Sequence, residues 1–87
     1  MPYKFELIST QWDKPEKYVK IMEGDEILAL IHQKAIDIIS KEVYTDSESD
    51  KIYICVKATS GTIEMPVKDE AEATKVYQDI CTCVFQQ

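Results

Sequence analysis

The N-terminal stretch YKFELIST alternates Tyr3, Phe5 and Leu7 with Lys4 and Glu6, and a period of two marks a half-buried strand. The polar, proline-bearing QWDKPEK that follows reads as a connection. KYVKIMEGDEILALI then predicts two strands around a turn at Glu23-Gly24-Asp25. The next stretch, DEILALIHQKAIDIISKEV, carries two readings. As a helix over about 26–42 it has Asp25 as N-cap and a stripe of Ile27, Leu28, Ile31, Ala35, Ile38 and Ile39, but it sets Leu30 among charges and Glu42 inside the stripe. As strand, loop, strand it breaks at His32-Gln33-Lys34, and its β-branched residues together with Tyr44-Thr45 suit a sheet. The strand reading is preferred.

KIYICVKATSGTIEMPV predicts a hairpin. With Ser60-Gly61 as a two-residue turn, Ala58 faces Ile63, Val56 faces Met65 and Ile54 approaches Val67, so one side is apolar. The same register sets Lys57 opposite Glu64 and Thr59 opposite Thr62, and Pro66 is expected to end regular pairing near Met65. Asp69 followed by Glu72 opens a helix over about 69–85, with Ala73, Val76, Tyr77, Ile80 and Val84 as its buried stripe. The expected fold class is α+β: a small antiparallel sheet of about 4–6 short strands with a C-terminal α-helix on one face. The alternative is β-α-β-β-α with a helix at about 26–42.

Length adds that residues 1–87 form a single domain, burying roughly 60–65% of the unfolded surface. Hydrophobic residues make up 45% of the chain and charged residues 30%, and only two residues are glycine, so a linker-rich or low-complexity chain is excluded. The formal charge is -6, and every basic side chain is lysine. Without guanidinium forks and with the wrong sign, direct nucleic-acid binding is disfavoured, whereas a basic protein partner fits. No stretch approaches the roughly 20 apolar residues of a membrane helix, and no positively charged start leads into an apolar run, so a cytoplasmic protein is expected.

Candidate chemistry is sparse. Cys55, Cys81, Cys83 and His32 make up a Cys₃His inventory, but residues two apart on a helix point roughly 200° apart, so the cysteines are expected to pack rather than to bind metal. Asp46, Glu48 and Asp50 imitate the start of a calcium loop, yet the required glycine is Lys51 and the closing acid is Lys57. A single histidine, no phosphate loop and no nucleophile elbow point to a non-enzyme with no cofactor.

The expected function is that of an acidic interaction protein that inhibits or titrates a basic, nucleic-acid-handling partner. Its contacts are expected at Trp12, Glu23, Asp25, Glu26, Asp46, Glu48, Asp50 and Glu64. In size and charge the chain resembles small acidic phage inhibitors of host defence, anti-CRISPR proteins among them, a resemblance that assigns no residue. The alternative is a homo-oligomer that sequesters a small ligand such as a nucleotide between subunits, using Tyr18, Lys20, Tyr44, Tyr53 and Lys57.

Overall fold

The computed structural model describes residues 3–45 and 49–85. Six strands precede one helix: β1 (Tyr3–Ser9), β2 (Lys17–Glu23), β3 (Glu26–His32), β4 (Ile36–Thr45), β5 (Asp50–Ala58), β6 (Gly61–Val67) and α1 (Glu70–Val84). They divide into two antiparallel three-stranded sheets, β1-β2-β3 and β4-β5-β6, rather than the single sheet expected. The chain between Glu26 and Thr45 is strand, short 3₁₀ turn (Gln33–Ala35), strand, which rules out the helical alternative at 26–42. The division between sheets falls at that turn. His32 Nδ1 accepts the Lys34 N–H at 3.1 Å and caps it, so β4 leaves the first sheet and pairs with β5.

Each hairpin has a local cause. Gly24 adopts φ 60°, the left-handed conformation that costs glycine least, and lets β2 return as β3 through Gly24-Asp25. The β5–β6 turn is Thr59-Ser60 rather than Ser60-Gly61, which moves the pairing by two residues: Val56 lies opposite Ile63, Ile54 opposite Met65 and Cys55 opposite Glu64. A shift of two keeps every side chain on its expected face. The selecting contact is outside the hairpin, where the Thr59 N–H donates to the Ala35 carbonyl at 3.0 Å.

Pairing also continues through Pro66 to Val67, because β6 is an edge strand and a missing N–H there breaks no ladder bond. The Pro66 carbonyl accepts the Tyr3 hydroxyl at 2.9 Å and so joins the two sheets.

The core is one cluster drawn from both sheets and the helix. Val19, Ile21, Ile54, Val56, Met65, Ala73 and Ile80 are fully buried at its centre, and each large aliphatic removed from water contributes roughly 1.5–3 kcal/mol. α1 touches β1 in the first sheet and β4, β5 and β6 in the second, so it serves both layers. It begins at Asp69, whose carboxylate accepts the Glu72 N–H at 2.8 Å, while Glu72 reaches back to the Lys68 N–H at 3.2 Å. Tyr77, expected within the buried stripe, is exposed, and its hydroxyl donates to the Ile39 carbonyl at 3.3 Å. Cys83 takes the buried place in the helical stripe instead.

Candidate functional site

Alternation along β5 sends Ile52, Ile54 and Val56 toward the helix and Tyr53, Cys55 and Lys57 to the opposite face. Register then fixes their neighbours. Glu42 lies opposite Tyr53 from β4, and Glu64 lies opposite Cys55 from β6. Tyr44 and Tyr53 meet edge to face with ring centroids 5.4 Å apart, and the Tyr44 hydroxyl donates to Glu42 at 3.3 Å. The helix packs on the other side of this sheet, which leaves an outward surface of paired tyrosines and two carboxylates, with exposed Ile38 at its margin.

Their proximity shifts how these groups ionise. Burial pushes the Cys55 thiol up to about 12, helped by its hydrogen bond to Glu42 and by the charges of Glu42 and Glu64, with Lys57 opposing. The thiol in turn holds the Glu42 carboxyl below its usual value. Tyr44 is raised, first by Glu42, then by burial and by Glu64. Cys55 is buried and sits in this face as a thiol that donates to Glu42.

His32 lies at the far end of the first sheet. Its ring packs edge to face on Tyr18 with centroids 5.1 Å apart, and Nε2 lies 3.6 Å from Glu16. Because Nδ1 accepts the Lys34 N–H, the ring proton sits on Nε2 and faces Glu16. Nδ1 is thus taken up by the cap, and the Nε2 edge faces Glu16.

Beside it, a groove of about 590 Å³ runs between the 3₁₀ turn and the end of α1, with Lys17, Lys34, Ile36 and Val84 among its walls. Neither Lys17 nor Lys34 forms an ion pair among the described residues.

The residues singled out in the sequence are dispersed by this fold. Trp12 stands 64% exposed in the β1–β2 loop, while Glu23, Asp25 and Glu26 sit at the β2–β3 turn, the opposite end of the same sheet. Trp12 and these acids therefore lie at opposite ends of the first sheet. Glu23 does converge with the helix start: it and Glu72 both raise the Tyr3 hydroxyl, after burial. Asp50 opens β5, and Asp46 and Glu48 lie outside the described residues. Of the residues expected to hold a ligand, Tyr44, Tyr53 and Lys57 share the outer face of the second sheet with Glu64, whereas Tyr18 and Lys20 belong to β2 in the first.

Glu42 and Cys55 were missed as members of that face. Finding them requires the β4–β5 register, because Glu42 is thirteen positions from Cys55 in the chain and meets it only through cross-strand pairing.

The three cysteines do not meet: Cys55 faces away from the helix, Cys83 faces the core, and Cys81 lines the groove. Among the described residues no three metal-ligating side chains come together, and no helix is long and apolar enough to cross a membrane. No protein-family model matches the chain, and comparison with curated proteins and with solved structures finds no significant match.

Proposed function

We propose that the protein is a non-enzymatic interaction module that captures a basic protein partner and so inhibits or titrates it. The observation that carries this reading is the Tyr44–Tyr53 pair flanked by Glu42 and Glu64 on a sheet face turned away from the helix. Tyrosine faces attract a lysine or arginine head group, and neighbouring carboxylates hold it by charge-assisted hydrogen bonds. Tyrosine is also an efficient interface residue, since it presents a large contact area with few rotors to freeze. The net charge of -6 steers such a partner from a distance, and the turn acids Glu23, Asp25 and Glu26 add to that field.

The test is capture of partner proteins from a lysate on the immobilised protein, at low salt and again near 0.5 M, where the screening length falls to roughly 4 Å. A basic protein retained at low salt, lost at high salt and lost with the Glu42→Gln/Glu64→Gln double variant supports the reading. Retention unaffected by both changes, or no retention in either buffer, overturns it.

A further inference from the structure

Edge strands expose unpaired backbone groups, and natural sheets guard them with charge, proline or cover. Three of the four edges here are guarded within the strand: β1 by Lys4 and Glu6, β4 by Asp37, Lys41 and Glu42, β6 by Glu64 and Pro66. β3 is not. Between Glu26 and His32 it reads Ile27-Leu28-Ala29-Leu30-Ile31, with no charge and no proline. It pairs with β2 alone, and among the described residues no other backbone hydrogen bond reaches it. Ile27 and Leu30 are each 58% exposed and Leu28 is 38% exposed, an unusual cost for three neighbouring aliphatic side chains on one strand.

We infer that β3 pairs with β3 of a second copy of this chain, joining two three-stranded sheets into one of six. The sequence of the strand supplies the reason for a second copy. Ile-Leu-Ala-Leu-Ile reads the same in both directions, so antiparallel pairing about a two-fold axis through Ala29 sets Leu28 against Leu30 of the second copy and Ala29 against Ala29. That central register is self-complementary, as a two-fold interface requires.

Leu28 is the extra residue of a bulge against β2, and Ile27, opposite Met22, lies on the outer face with Leu30, so the apolar strip widens at the seam. Ala29 at the axis is small enough for close approach.

Charge points the same way. Two chains of charge -6 repel over most of their surfaces, but the five central residues of β3 are neutral, and Lys4, Lys20 and Glu6 behind them leave no net negative charge. A basic partner has nothing to recognise there.

The experiment is sedimentation equilibrium or light scattering on the full chain over roughly 1–100 μM, the weak end of the affinities that such interfaces span. The wild type is expected to approach twice 10.0 kDa and to fall toward 10.0 kDa on dilution. Leu30→Lys puts two ammonium groups near the axis and is expected to remain at 10.0 kDa throughout with the wild-type circular dichroism spectrum, while Ile38→Lys on the β4 edge associates like the wild type. A wild type that is monomeric at every concentration, or a Leu30→Lys variant that still dimerises, overturns the inference. Should Leu30→Lys lose the wild-type spectrum, hydrogen exchange on the wild type decides: β3 amides gain protection with concentration if the pairing exists, and show no concentration dependence if it does not.

Discussion

Asp69 offers a clean separation of two effects that usually act together at a helix start. Its side chain accepts the Glu72 N–H at 2.8 Å, and its carboxylate stands at the positive end of a fifteen-residue helix. Asp69→Ala removes both the acceptor and the charge. Losing an N-cap acceptor costs about 1 kcal/mol, and losing an anion at an exposed helix N-terminus costs about 0.3–1 kcal/mol more at low salt. Together these give roughly 1–2 kcal/mol, which for a domain of this size lowers Tm by about 5–15 °C.

Asp69→Asn keeps the oxygen acceptor and deletes only the charge, so it is expected to lose about 0.3–1 kcal/mol, and that loss shrinks in high salt. The assay is urea unfolding followed by circular dichroism at one fixed protein concentration, because self-association would otherwise shift the midpoint by mass action. Equal losses for Ala and Asn would show that charge, not the hydrogen bond, secures this end. No loss for Ala would show that Lys68 and Glu72 hold the first turn without Asp69.

Thiol labelling under native conditions is expected to modify Cys81 first, with Cys83 and Cys55 following only on unfolding; mass spectrometry of the labelled peptides checks the order, and early labelling of Cys55 would contradict its burial. The Cys55 pKa also sets a pH trend. With the folded value raised from 9.0 to about 12, its stabilising contribution is complete below pH 9 and declines as pH rises toward 12, so Cys55→Ala should flatten the alkaline slope of stability. Tyr3→Phe deletes the donor to the Pro66 carbonyl and should cost about 1 kcal/mol by thermal melting. Cys83→Ala removes one buried sulfur and should also cost on the order of 1 kcal/mol without abolishing folding, with or without a chelator present.

Where both strand faces differ in environment, the sequence was sufficient. Tyr3, Phe5 and Leu7 face the core and Lys4 and Glu6 face out, so period two survives and β1 is legible. The helix was legible because its cap, its acidic first turn and its stripe agree. The β5–β6 register was off by two because the deciding contact, Thr59 to Ala35, spans 24 positions and leaves no local trace. The candidate face was opaque for the same reason: Tyr44, Glu42, Tyr53, Cys55 and Glu64 come from three strands, and only pairing registers assemble them.

The helix–strand ambiguity over 26–42 has a more specific origin. A bulge inserts one residue into a strand, and one residue inverts the parity of everything beyond it. This segment contains two such interruptions, at Leu28 against β2 and at Asp37 against β5. Inward positions that would have been two apart become three apart, as Ile36 and Ile39 are, and a spacing of three is what a helix uses. The apolar outer face of β3 removes the remaining contrast, because Ile27 and Leu30 point to solvent while Ala29 and Ile31 point inward. A strand that is greasy on both faces looks like a buried strand or a helix. On the structure it is neither, and the same missing contrast that obscured its secondary structure is what marks it as the edge awaiting a second copy.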